Sequence, residues 1–483
     1  MVSNLANIKS ALRIALALML LFPFLVLVGE INASMNFDTK RFFEVFVFTV
    51  VQASLSGISI LLFGLLGALG LFHYSSKKVE IFVLLPSLVP SLFILVGCLK
   101  FFNPFPFGML GIVIVQTVIY SGLCSVALKT LFESKIGSWC ELALIEGSGR
   151  RAFLLVVLRF LKNELALMFL FFFSLTFSSL SVPLVAGGFN GQTLEVMIYE
   201  KIRIDMDFGQ AFFLSLIQSF FLLALCWRLS QLKSPLATKS FNTHLLRFAP
   251  GIYPLTLFCV VILWGQLLDL SGGIEDLIQL KETVSFFDAG IRSLFISFAS
   301  GLFMMVLLAS VAYVLPHKNF QRFLLSYMAP STALLGLAWL KWTPPSTGAV
   351  SLVIIVVGLC FLSLPLIYRL RLDSAFHSLT HQIDVASTMG ADWNQIFWRI
   401  VIPQLWPSLC LGASLMAFWA AGEFAFSSLV APSDFSLSLL TKGLTDSYRI
   451  EAASTLSWLN LVLGLMGWLF FRSLKDVFSY RAH

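Results

Sequence analysis

Twelve stretches of sixteen or more residues in this 483-residue chain contain no Asp, Glu, Lys or Arg: 14–29, 45–72, 81–99, 101–128, 165–194, 208–227, 248–268, 293–317, 323–340, 342–368, 400–422 and 452–471. Each approaches or exceeds the ~20 residues a helix needs to cross a hydrocarbon layer of ~30 Å. Backbone groups in lipid must pair internally, so only helices and closed barrels span it, and these runs lack the polar alternation of barrel strands. With 58% hydrophobic and 12% charged residues, an ordinary soluble domain is excluded. The expected fold class is an all-α polytopic membrane protein of about 12 transmembrane helices. The shortest run, 14–29, is extended by snorkelling of Arg13. Lys9, Arg13 and the following Asn32-Ala-Ser-Met give it the outline of a signal peptide. An uncleaved first helix is the better reading, because removal leaves five helices in the first half against six in the second.

Orientation follows from Lys and Arg, which concentrate in cytoplasmic loops. With the N-terminus inside, the inner segments hold 22 of the 32 basic residues and 9 of the 25 acids, a net +13; the outer segments hold 10 basic and 16 acidic residues, a net −6. The expectation is a multi-pass membrane protein with both termini cytoplasmic. The overall charge of +7 is thereby a topology signal, with membrane lipid and no nucleic acid as its partner.

An internal duplication is legible as a constant offset. Ser56-Gly57 and His73 have counterparts 244 positions on in Ser300-Gly301 and His317, as Pro86-Ser87 has in Pro330-Ser331. Small residues permit close helix packing in lipid whatever the function, so only the shared offset supports duplication. Two tandem six-helix repeats have the same orientation, unlike inverted-repeat carriers. The expected domains are residues 1–228, a cytoplasmic linker at 229–249, and residues 250–483.

Between two apolar runs, apolar residues at Ala375, Phe376, Leu379, Ile383, Ala386 and Met389 predict an amphipathic helix over 373–389. Gly390 permits a sharp turn, Asp392 with Gln395 has capping-box-like spacing, and Pro403 and Pro407 interrupt the next helix. The order Asp384-Val385-Ala386-Ser387-Thr388-Met389-Gly390, then Phe397, Ile400, Pro403 and Pro407, resembles the cytoplasmic EAA loop of ATP-binding cassette importer permeases. A second, weaker copy is Glu141-Leu142-Ala143-Leu144-Ile145-Glu146-Gly147 with Phe153 and Val157, its glycine 243 positions before Gly390. The sequence departs from the family pattern: Asp384 replaces glutamate, Val385 and Leu142 replace the first alanine, and Phe160 and Glu164 stand where the first loop would have prolines.

The resemblance implies a type I importer permease fold with both transmembrane domains fused in one chain. It implies ATPase coupling through Asp384, Ala386, Gly390 and Pro403, and through Glu141, Ala143 and Gly147. It further implies two copies of a separate cytoplasmic ATPase subunit that bind the ATP, and an external solute-binding protein. The chain itself is then no enzyme and holds no cofactor. Fused permeases of this length resemble the ferric-iron and thiamine classes, and Ser447-Tyr448-Arg449 with Glu451-Ala-Ala leans toward thiamine.

No G-x-x-x-x-G-K-[ST] phosphate cradle occurs, and Ser148-Gly149-Arg150-Arg151 lacks its spacing and reads as a turn with a charge anchor. His377 and His381 have i, i+4 spacing without a third metal ligand, Gly187-Gly188 and Gly191 read as an outer turn, and the seven cysteines stand singly without CxxC spacing. Glu423 is the one acid between Ile400 and Ser433 and is a candidate for the substrate path, against a carboxylate that reaches headgroup water. The alternative function is an ion-coupled secondary transporter of major-facilitator-like architecture. Against it, the 73–80 loop lacks that family's glycine-and-arginine signature. A membrane enzyme finds no cluster of nucleophile, base and metal ligands.

Overall fold

The computed structural model describes residues 38–74, 76–147, 157–188, 191–229, 246–268, 270–280, 285–314, 331–342 and 348–479, with scattered residues between 10 and 26. They are helical throughout the regular elements. The first half holds α1 (Thr39–His73), α2 (Lys77–Leu88), α3 (Ser91–Phe101), α4 (Met109–Ile145), α5 (Lys162–Phe177), α6 (Ser181–Ala186), α7 (Leu194–Arg203) and α8 (Phe208–Leu229). The second holds α9 (Tyr253–Leu267), α10 (Leu270–Leu280), α11 (Phe286–Val314), α12 (Thr332–Trp342), α13 (Ala349–Ile367), α14 (Asp373–Thr388), α15 (Trp393–Ile396), α16 (Ile402–Ala421), α17 (Ser427–Val430), α18 (Leu437–Asp446) and α19 (Ile450–Ser479).

Among the described residues, eight helices are long and apolar enough to cross a membrane, or nine if a bent pair counts as one span. The protein is thus a polytopic helical membrane protein, with fewer such helices than the twelve apolar runs predict. The differences have local causes. In run 81–99, Pro90 biases Val89 to an extended backbone (ψ 144°), and α2 and α3 meet at 89°. In run 165–194 the helix stops at Phe177, restarts at Ser181 and stops again at Ala186 before Gly187. Run 323–340 contributes most of the eleven-residue α12, the run's first part lying outside the described residues. Much of run 14–29, His317, Pro330 and most of the 229–249 linker also lie outside them.

The helices of each half pair in parallel ways. α1 packs on α4 and α5, as α11 packs on α13 and α16; α7 packs on α8, as α18 packs on α19. The two ten-residue helices α7 and α18 start 243 positions apart, and each begins with its first N–H bonded to a hydroxyl on a long helix. Leu194 N donates to Thr49 Oγ1 at 2.8 Å, and Leu437 N to Ser293 Oγ at 2.9 Å, the acceptors being 244 positions apart. Ser56, Gly57, Ser300 and Gly301 are all buried on those same long helices.

The halves also exchange helices. α3 packs on α9 and α19, while α12 packs on α7 and α8. At the α3–α9 crossing a Cβ on Gly265 would stand 1.9 Å from Gly97 O, so backbone meets backbone there. Beside it Gln266, fully buried, donates to Phe93 O and accepts from Ser454 Oγ (2.7 Å) and Ser457 Oγ (3.2 Å). One amide thus ties α9 to α3 and α19 in a setting where an unpaired polar group is costly.

Candidate functional site

The second loop forms the amphipathic helix its pattern predicts. Leu379 is buried, and Ala375, Phe376, Ile383 and Ala386 pack on the main core, while Asp384 and Val385 are exposed. Met389, placed by its spacing on the packed face, is instead 82% exposed, because the helix ends one residue before it. Gly390 has φ +83°, its N–H bonds Ser387 O at 3.1 Å, and Ala391 N bonds Ala386 O at 3.1 Å. This is the Schellman closure, in which a left-handed residue satisfies the last carbonyls of the helix. Nothing lies within 4 Å of a Cβ built on Gly390, so backbone conformation, not crowding, selects glycine.

Asp392 occupies the N-cap of α15, but its side chain makes no capping bond, so the Asp392–Gln395 spacing does not produce a capping box. Trp393 through Ala421 continue as one long helix. Pro403 falls in the first turn of α16 and Pro407 inside it, after a π-helical turn at Phe397–Val401. The prolines therefore do not stop the helix: the wider turn reroutes backbone bonds just ahead of Pro403, which has no N–H to give. Another π turn, Tyr368–Leu372, precedes α14.

The first loop repeats part of this geometry. Gly147 has φ +67°, again with nothing within 4 Å of a Cβ. Ala143 is buried, Leu142 is exposed, and Ile145 is 82% exposed, matching Met389 244 positions on. Val157 is buried. The side chain of Glu141 and all of Ser148–Gly149–Arg150–Arg151 and Phe153 lie outside the described residues. His381 is exposed, and no group of three His, Cys, Asp or Glu arranged to hold a metal occurs among the described residues.

Glu423 lies in the break between α16 and α17. Its Oε1 accepts from Phe426 N at 3.0 Å, just ahead of the short α17, while Oε2 is buried without a hydrogen-bond partner. This break abuts the α2–α3 break of the other half: Trp419 Nε1 donates to Leu88 O at 3.1 Å, and Gly422 lies against Pro90. Non-helical backbone at membrane depth is tolerated where protein buries it or where it lines a water-filled cavity.

A residue the sequence reading missed is Glu195, counted there only as an outer acid. It is fully buried in the first turn of α7. Its Oε1 accepts from Thr332 Oγ1 (2.8 Å), Ala333 N (2.9 Å) and Ser331 Oγ (3.1 Å), and its Oε2 accepts from Gln218. A first-half carboxylate thus caps α12 of the second half, where the helix end favours negative charge. The available signal was its immediate sequence, Leu194 before it and Val196-Met197-Ile198 after it, all buried. No family model, curated protein or solved structure matches the chain.

Proposed function

We propose that this chain is the transmembrane permease subunit of an ATP-driven, binding-protein-dependent importer. The observation that carries the reading is the pair of loops ending at Gly147 and Gly390. Both glycines adopt a left-handed backbone, both stand free of neighbours, and each follows exposed apolar residues, Leu142 and Ile145 or Val385 and Met389. Two such ends, 243 positions apart, are what a duplicated permease needs to meet two ATPase copies. In this reading the exposed apolar residues and Asp384 contact the ATPase, and Gly390 sets the turn. Ala386 and Ala143 hold the loop helices against the transmembrane body. The halves, joined through exchanged α3 and α12, then rock together when the ATPases close.

Glu423 supplies the solute path with a negative site that suits a cationic or metal-bearing solute, consistent with the thiamine or ferric-iron classes of the resemblance. Its unpartnered Oε2 beside two abutting backbone breaks supports that role. The test is reconstitution. The purified chain in liposomes is expected to show neither ATP hydrolysis nor gradient-driven uptake, and to take up solute only with an ATPase subunit, a binding protein and ATP. Robust uptake driven by a proton or sodium gradient alone would overturn the importer reading in favour of a secondary carrier.

A further inference from the structure

Two cavities run together over the outer surface of the helix bundle, where α1, α2 and the start of α9 meet. The larger, about 750 Å³, is walled chiefly by Phe63, Pro250, Tyr253, Leu257, Phe258 and Val260. The smaller, about 300 Å³, is lined by Tyr74, Lys78, Val79, Phe82, Ile252 and Thr256, and Thr256 also belongs to the first. The hydroxyl of Thr256 donates back to its own helix, to Tyr253 O at 2.9 Å. The lining therefore offers little directional recognition and suits an alkyl chain.

The setting identifies where that chain comes from. Tyr253, Leu257, Val260 and Trp264 follow one another at helical spacing along α9, and all are more than half exposed. On a membrane-spanning helix this is a lipid-facing stripe. The groove's base is firm, since Phe248 N donates to Leu69 O at 3.0 Å and a Cβ on Gly251 would meet Leu66 O at 2.1 Å. Lys78 lines the smaller cavity and Lys77 precedes it in the chain, both exposed and neither in an ion pair among the described residues. The nearest acid in sequence, Glu80, is already held by Lys129. Tyr74 lines the smaller cavity beside Lys78, as interfacial aromatics do.

We propose that this groove binds an anionic phospholipid, with one acyl chain along α9 and the phosphate at Lys78 and Lys77. Lipid tails and the groove are equally apolar, so burial alone selects no lipid. The lysines do, at about fivefold per charge near the surface. This site does not depend on what the protein transports.

Native mass spectrometry of the full-length chain in detergent, titrated with phosphatidylglycerol and phosphatidylcholine of identical acyl chains, tests it. The wild type is expected to retain phosphatidylglycerol at least fivefold better. Lys78→Gln, an exposed change, should lower phosphatidylglycerol retention about fivefold and leave phosphatidylcholine unchanged. Thr256→Trp, which fills the junction of the two cavities, should lower both. Lys40→Gln removes the same charge at the far end of α1 and should alter neither. Equal retention of the two lipids by the wild type would overturn the proposal, as would equal losses in the Lys40 and Lys78 variants. Displacement of phosphatidylglycerol by inorganic phosphate, with no effect of Thr256→Trp, would assign the lysines to a soluble anion instead.

Discussion

Glu195 and Glu423 occupy similar places, each at the edge of a break between helices, yet their surroundings lead to opposite expectations. Glu195 accepts from three side chains and one backbone N–H drawn from both halves. Glu195→Ala leaves these donors buried and unpaired, and is expected to cost about 3 kcal/mol or more, read as a lowered thermal unfolding midpoint in detergent. Glu195→Gln should fall between, because it turns one acceptor into a donor facing donors; an alanine variant as stable as wild type would remove the capping role. The Glu423 side chain accepts from Phe426 N at Oε1, a bond Gln can keep, and leaves Oε2 without a partner. Glu423→Gln should therefore leave expression and unfolding unchanged while lowering uptake, and unchanged uptake would reject the path assignment. The environment of Glu195 is not encoded locally. The donors to Glu195 lie 23 to 138 residues away in the chain, so the sequence offers only an acid among apolar neighbours.

Helix ends and crossings were legible to different degrees. The period of residues 373–389 predicted α14, and the glycine after it was read correctly as a turn, because helix periodicity and left-handed tolerance are properties of a few adjacent residues. Gly390→Ala should cost about 1 kcal/mol through backbone strain alone, since the site has open space. Gly390→Arg should spare membrane insertion and impair coupled transport. Gly147→Arg should act more mildly, given the poorer first loop, and wild-type transport by both would remove the basis for calling these loops couplers. The Gly97–Gly265 crossing carried no comparable local mark. Gly265→Leu has to displace a backbone carbonyl 1.9 Å from its Cβ and is expected to lower stability sharply. Gly443→Ala in α18, with nothing within 4 Å, should instead stabilise by roughly 0.5–1 kcal/mol. Parallel unfolding curves for the two variants decide this.

For the whole molecule, the basic residues favour one side. The expectation is that both termini and both glycine loops face the cytoplasm. Single cysteines at positions 392 and 40 in a cysteine-free background check it: an impermeant thiol reagent added to intact cells should label position 40 and spare position 392. Labelling at 392 from outside would overturn the orientation. The count of crossings is a separate matter, since α2–α3 is bent by 89° and α5 has sixteen residues. Cysteines on either side of that bent pair, at positions 77 and 103, should label from opposite faces if it spans and from the same face if it re-enters.

Composition and charge-free run length by themselves determined that the chain lives in a membrane and is built of helices, because the cost of placing charge or unpaired backbone in hydrocarbon applies residue by residue. The 244-position offset likewise pointed to paired elements, and Thr49 and Ser293 capping α7 and α18 are its physical counterpart. An apolar run states that a segment avoids water; it does not state that the segment is one straight helix. The exchange of α3 and α12 between halves and the capping of α12 by Glu195 were decided only in the tertiary structure. Each depends on which distant backbone or side chain arrives to satisfy a polar group, and that is set by packing across the two halves.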